Sequence, residues 1–180
     1  MVHSRLARTA SLRKNRGMSE MNEAIIEQAT LEDLGQMVDL LYDLFSQEGD
    51  FVPDRGKQER GLRLILEQPS RGRIFVYRWN ERIIGMVNLL FTISTAEGGF
   101  VVLLEDVIVH HEFRGRGVGT QLLKHAIEYA KKKEFLRMTL LTDRLNEGGH
   151  EFFSRLGFFK SQMIPLRLPL ASDAATLPKA

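Results

Sequence analysis

Three glycines alternate with other residues in the segment Arg114-Gly115-Arg116-Gly117-Val118-Gly119-Thr120, called the glycine loop below. It follows an aliphatic run and precedes a helical pattern, so it predicts a turn that leads into a helix. Glycine leaves backbone N–H groups uncovered, and a helix N-terminus adds about half a positive charge. Such a turn binds anions, above all phosphates, and the arginines and Thr120 can add donors. A glycine-rich turn with solvated arginines is the alternative.

The spacing of these glycines excludes the two commonest nucleotide-binding loops. A Walker A loop requires a lysine directly before its serine or threonine, and Gly119 stands before Thr120 instead. A dinucleotide-binding loop requires G-x-G-x-x-G after the first strand of a βαβ unit, whereas this chain has G-x-G-x-G. The sequence therefore points to a phosphate ligand of another class.

The apolar pattern around the loop predicts an α/β fold with one mixed, mostly antiparallel sheet and helices on its faces. The predicted order is β-α-α-β-β-β-α-β-α-β. Thr30 and Asp33 form a capping-box-like start for the first helix, and Gly157 ends the last one. Pro165 and Pro169 place the final strand at an edge. Six strands are predicted, at residues 24–29, 74–79, 83–91, 100–109, 138–141 and 158–168. Four helices are predicted: one that begins at residue 30, one at 57–68, one that begins at residue 118 and one at 146–156.

Length and charge favour a single domain behind a short basic leader. The chain has 180 residues, of which 43% are hydrophobic, enough for one stable core. We assign residues 1–20 to a disordered leader, 21–170 to the domain and 171–180 to a flexible tail. Residues 1–17 hold five basic side chains and no acid. Residues 18–180 therefore contain 20 basic and 23 acidic residues, which gives them a formal charge of −3. The leader is a functionless segment, an over-long start, a transit peptide or a nucleic-acid-binding arm; we expect no nucleic-acid partner for the domain.

Composition also limits the compartment and the chemistry. No apolar run approaches the roughly 20 residues that span a bilayer, and no secretory signal is visible. We therefore expect a cytoplasmic protein with no membrane partner. The chain has no cysteine, which excludes disulfides, a thiolate nucleophile and cysteine-ligated metals.

The histidines do not predict a metal site. His110 and His111 are adjacent, and alternation along a strand would place them on opposite faces. His125 and His150 lie in helical stretches without a second ligand three or four residues away. We expect no metal.

A second set of residues resembles a known family. The glycine loop reads R-x-x-G-x-G, and with the preceding LLEDVIVHHEF it closely resembles the acyl-CoA motif of the GNAT superfamily of N-acetyltransferases. Asn146, the pair Phe152-Phe153 and the pair Gly157-Phe158 resemble the family's C-terminal signature at its usual separation. The predicted element order is also similar to the family's fold, from about residue 24 to residue 168.

The resemblance implies acetyl-CoA as cosubstrate. Amides of the glycine loop would hold the pyrophosphate, and the backbone of Val107, Ile108 and Val109 would pair with the pantetheine arm as an added strand. Asn146 and Phe153 would belong to the same cofactor site.

A carboxylate in the aliphatic strand is the candidate base. An alkyl ammonium with a pKa of about 10 must lose a proton before it attacks a thioester. Glu105 lies nine residues before Arg114, where a subgroup that resembles the spermidine/spermine (diamine) acetyltransferases carries a glutamate. Strand alternation would place Glu105 and Asp106 on opposite faces. An arginine pair or a solvated position is the alternative for either acid.

Phe153 departs from the family's pattern. Related enzymes carry a tyrosine there, which protonates the leaving CoA thiolate, and phenylalanine has no proton to give. A thiol with a pKa of about 8.5 can leave as thiolate, so turnover is still expected.

The acceptor is predicted to be a small cationic amine. The family resemblance places it beside the loop that holds Glu48 and Asp50, and Asp106 is a further substrate-binding candidate. A solvated acidic loop is the alternative. Two other functions stay open: a silent acyl-CoA-binding domain, favoured by Phe153, and a protein acetyltransferase, favoured by the basic leader. The final strand could also contribute to a homodimer.

Overall fold

The fold is built on a five-stranded mixed sheet. The computed structural model describes residues 24–46, 52–168 and 170. The strands are ordered β1-β2-β3-β4-β5, and each pair is antiparallel except β4 and β5, which are parallel. The strands are β1 Ala24–Gln28, β2 Gly72–Trp79, β3 Arg82–Ser94, β4 Gly99–Val109 and β5 Met138–Leu140. The helices are α1 Leu34–Phe45, α2 Arg55–Glu67, α3 Val118–Lys132 and α4 Glu147–Arg155.

Both faces of the sheet are covered, which explains why its strands are almost continuously apolar. On one face, buried residues of α3 such as Leu122 and Leu123 pack on Val87 and Leu104 of the sheet, and α4 lies against the same core. On the other face, α1 and α2 pack on residues that include Met86. The mixed α/β fold predicted from the sequence is confirmed.

Local signals at the helix ends are also confirmed. The Thr30 N–H donates to Asp33 Oδ2 at 2.8 Å, ahead of α1, as a capping box requires. Gly157 has a φ of 96°, the left-handed conformation that glycine adopts easily, directly after α4.

The predicted sixth strand is wrong. Residues 158–168 contain no strand, and their side chains are mostly exposed; Phe159 and Leu166 are each 90% exposed. Pro165 lacks a backbone donor, and β5, with its three residues, offers a very short edge for pairing. An apolar alternating pattern therefore did not suffice to form a strand here.

Several expectations fall on other parts of the chain. The basic leader and the C-terminal tail lie outside the described residues, as do Glu48, Asp50 and Pro169. None of the helices that the structure describes is long and apolar enough to cross a membrane.

Candidate functional site

One edge of β4 is open along its second half. β5 pairs with β4 at Val102, Leu103 and Leu104, while β4 continues to Val109. Among the described residues, 105–109 therefore have a strand neighbour on the β3 side alone. We call the other side of 105–109 the open edge.

The backbone of the open edge alternates in direction. The His110 N–H donates to the Ile84 carbonyl of β3 at 2.9 Å, so the Val109 carbonyl points away from β3. Arg114 Nε donates to that carbonyl at 2.9 Å. By the same alternation the backbone groups of Val107 face the open edge, whereas those of Ile108 face β3. Of the three residues expected to pair with a ligand arm, Ile108 is thus turned away.

A β-bulge lies at the start of the open edge. Val87 is opposite Val107 and Leu89 is opposite Leu104, so Asn88 faces two residues of β4. A bulge of this kind adds one residue to a strand and re-aims the side chains beside it.

The bulge brings Glu105 and Asp106 to the same face, so the expected opposite placement is wrong. Leu104 and Val107 both pack on the core shared with α3, although they are three positions apart in the chain. The two acids between them therefore both face the side of α1 and α2. Regular alternation fails here because the extra residue shifts its phase.

Asp106 is the less exposed of the two acids. Asn88, which is buried, donates its Nδ2 to Asp106 Oδ2 at 3.0 Å. Burial raises the pKa of Asp106 above its ordinary value, and the neighbouring charge of Glu105 adds to this, although the Asn88 hydrogen bond lowers it. Glu105 itself is exposed.

Replacing Asp106 with asparagine should stabilise the protein at high pH. A carboxyl whose pKa is raised by folding binds its proton more tightly in the folded state, so its ionisation costs stability as the pH rises above the ordinary value of 3.8. Asp106→Asn removes that cost. Urea unfolding should show the variant more stable than wild type at pH 8, with a smaller difference at pH 4. An equal difference at both pH values would contradict the raised pKa.

The glycine loop forms the predicted turn that leads into a helix. Gly115 and Gly117 have φ values of 72° and 84°, and Gly117 caps the N-terminus of α3. The Gln121 N–H donates to the Gly117 carbonyl at 3.0 Å, so the three N–H groups from Val118 to Thr120 have no acceptor within the helix. These donors carry the positive end of the helix dipole.

The two arginines of the loop are held locally. Arg114 caps the Val109 carbonyl, and the Arg116 guanidinium lies 5.4 Å from the centre of the Phe113 ring. Their charge therefore lies beside the loop and the open edge.

Replacing Gly117 with alanine should destabilise the protein more than replacing Gly119 with alanine. Gly117→Ala forces a left-handed conformation on a side chain, which costs about 1 to 2 kcal/mol of stability. An alanine Cβ at Gly119 would meet Phe152 and Val109 at 3.4 and 3.5 Å, ordinary contact distances, so Gly119→Ala serves as the matched control. Urea unfolding measures both variants. Equal destabilisation would show that backbone conformation does not set the need for glycine at Gly117.

Asn146 and Phe153 have structural contacts. Asn146 caps α4 through its Oδ1, which accepts the Gly149 N–H at 2.9 Å. Phe153 packs edge to face against Phe152 and Phe158, with ring centres 5.2 and 5.9 Å away. Both residues therefore stabilise α4, which packs on the face of the sheet that α3 covers.

A cavity of about 320 Å³ lies between α1 and the end of β4. It adjoins the open edge at Val109 and the glycine loop at Arg114. Sequence reasoning missed Asp43, the polar residue that α1 contributes, because it fits an ordinary amphipathic helix pattern. Its lining consists of Leu40, Asp43, Ser46, Ile108, Val109, His110, His111 and Arg114.

His110 and His111 lie beside each other in this cavity. β4 ends at Val109, and their rings stack with centres 4.3 Å apart. The opposite placement expected from strand alternation is wrong because both residues lie beyond the strand. Burial lowers the pKa of His110, and the charges of Arg82 and His111 lower it further.

Known proteins are similar to this chain in sequence. An uncharacterized N-acetyltransferase of Methanocaldococcus jannaschii is 30% identical over 140 residues, which cover 77% of this chain and 62% of that protein. Streptothricin acetyltransferase A of Bacillus subtilis is 31% identical over 104 residues, which cover 56% and 57%. The chain therefore spans about three fifths of the length of these relatives.

Solved structures and the family comparison agree on the fold. A structure described as a possible acetyltransferase from Clostridium difficile 630 superposes with a TM-score of 0.75 at 17% identity, covering 82% of this chain and 98% of that one. The chain also matches the acetyltransferase (GNAT) family over residues 36–158. Since that match takes in well over half of the chain and includes β4, the glycine loop and α4, the protein belongs to the acetyltransferase (GNAT) family.

Proposed function

We propose that the protein transfers an acetyl group from acetyl-CoA to a primary amine of a small cationic molecule. The observation that carries this proposal is the open edge of β4 leading directly into the glycine loop. A backbone edge and a set of helix N-terminal amides lie end to end, which suits a ligand with an amide-bearing arm and a pyrophosphate.

The open edge would bind the pantetheine arm. The Val107 carbonyl and the backbone groups of Val109 face it and can pair with the arm's amides as a neighbouring strand would. Arg114 already donates to the Val109 carbonyl at 2.9 Å, so its side chain must share or release that acceptor when the arm binds. The amides from Val118 to Thr120 would receive the pyrophosphate.

The acetyl group would be transferred directly. The amine nitrogen attacks the thioester carbon, the new C–N bond forms, and the C–S bond breaks to release the CoA thiolate. The Val107 N–H can stabilise the negative charge that develops on the thioester oxygen. Glu105 accepts, directly or through water, the proton that the ammonium group loses before attack. The nitrogen loses a second proton as the amide forms, and water carries that proton to the leaving CoA thiolate.

Paired acids favour a cationic acceptor. Glu105 and Asp106 face the same side of the sheet as α1 and α2, and the segment that holds Glu48 and Asp50 follows α1 in the chain. Two neighbouring carboxylates attract a substrate with positive charge and orient its amine. Acetylation of streptothricin, named for the Bacillus subtilis relative, gives a precedent for a small-molecule acceptor. A diamine is the first member of the class to test because of Glu105.

Release of the CoA thiol tests the proposal. Acetyl-CoA is incubated with the protein and a panel of polyamines, aminoglycosides, amino acids and basic peptides, and the thiol is detected with a colorimetric reagent. The chain has no cysteine, so the protein contributes no thiol signal of its own. We expect release that depends on a small cationic amine. Release with basic peptides alone would favour a protein acetyltransferase, and binding of acetyl-CoA without release would favour a silent domain.

A further inference from the structure

Three side chains in the cavity between α1 and β4 form a cluster of metal-binding type. Asp43 comes from α1, and His110 and His111 follow the end of β4. One ligand atom from each lies within 4.8 Å of the others. Asp43 and His111 are exposed and His110 is partly buried, so the cluster opens to solvent on one side.

We propose that Asp43, His110 and His111 bind a divalent transition metal of the zinc type. Two imidazoles and one carboxylate are the ligand types that Zn²⁺, Co²⁺ and Ni²⁺ accept, whereas Mg²⁺ and Ca²⁺ prefer oxygen alone. Three protein ligands leave a coordination position open toward the cavity. The ion would join α1 to the end of β4.

The geometry needs a small contraction to close around an ion. Ligand atoms about 2.0 to 2.2 Å from a tetrahedral zinc are about 3.4 Å apart, less than the 4.8 Å limit within which these atoms now lie. Rotation of the exposed Asp43 and His111 side chains can supply the difference.

Arg82 competes with the ion for His110. Its Nη2 lies 2.7 Å from His110 Nε2, and its Nη1 lies 3.2 Å from Glu112 Oε2. The guanidinium occupies Nε2 and repels a cation, and the Glu112 N–H donates to His110 Nδ1 at 3.3 Å, so the ring must release one of these two partners to bind a metal. The Arg82 side chain is 48% exposed, so it can move aside when a metal binds. Removing its charge should therefore tighten metal binding.

Metal titration of the full chain without a histidine tag tests the site. Co²⁺ is followed by the visible absorption of its protein-bound form, and the Kd of Zn²⁺ by competition with a chromophoric chelator. We expect one tightly bound equivalent in the wild type. Asp43→Asn and His111→Ala should each raise the Kd by about 10-fold or more. Arg82→Gln should lower it.

The controls separate this site from others. His150→Asn changes a histidine on α4, and its Kd should match the wild type. Asp43→Asn keeps the size of an exposed side chain, so a folding defect is not expected, and circular dichroism checks each variant. Absence of a bound equivalent in the wild type, or an unchanged Kd in both Asp43→Asn and His111→Ala, would overturn the proposal. The titration uses no acetyl-CoA, so its result is independent of the proposed acetyl transfer.

Discussion

Glu105→Gln is expected to lower kcat/KM for the amine by about 100-fold, the lower end of what a general base contributes. The bulge opposite Asn88 places Glu105 at the start of the open edge, exposed and on the side of α1 and α2. Glutamine keeps the size of the side chain but cannot accept a proton at neutral pH. The measurement is the rate of thiol release as a function of the amine concentration.

A control substitution distinguishes loss of a base from general damage. Glu59→Gln, on the exposed side of α2, is the matched control and should behave as wild type. A Glu105→Gln variant as fast as the control would assign the proton transfer elsewhere, with Asp106 the next candidate because of its raised pKa.

Phe153→Tyr is expected to raise kcat by about tenfold. This gain is smaller than general acid catalysis usually contributes, because a CoA thiolate already leaves readily without a proton donor. Phe153 lies on α4 among aromatic rings, 5.2 Å from the centre of Phe152 and 5.9 Å from that of Phe158. A tyrosine keeps these contacts and adds the hydroxyl donor that the family's pattern implies for the leaving thiolate. The measurement is kcat at saturating amine.

A neighbouring substitution provides the control for this gain. Phe152→Tyr adds the same hydroxyl one residue earlier, where its ring contacts the Gly119 side of α3. That variant should show no gain in kcat. If Phe153→Tyr also leaves kcat unchanged, thiolate protonation does not limit turnover in this protein.

The parts of the site that depend only on residues adjacent in the chain were predictable from sequence. The glycine loop was located correctly because positive φ values and a helix start leave a local mark, as at Gly115 and Gly117. The Thr30 capping box and the Gly157 helix end were found for the same reason.

The parts that depend on pairing between strands were not predictable. The bulge exists because β4 has one residue more than β3 between two paired positions, and no single strand shows that mismatch. It places Glu105 and Asp106 on the same face of the sheet instead of on the opposite faces expected. Likewise the last apolar stretch near Pro165 had strand character, but no partner strand pairs with it among the described residues.

Identification of the acetylated product tests the central claim most directly. The amine that gives the fastest thiol release is incubated with acetyl-CoA and the protein, and mass spectrometry counts the N-acetylated amine against the CoA released. Acetyl transfer predicts one acetylated amine for each CoA, and Glu105→Gln should reduce both equally. Thiol release without an acetylated amine would show thioester hydrolysis and would contradict the proposed function.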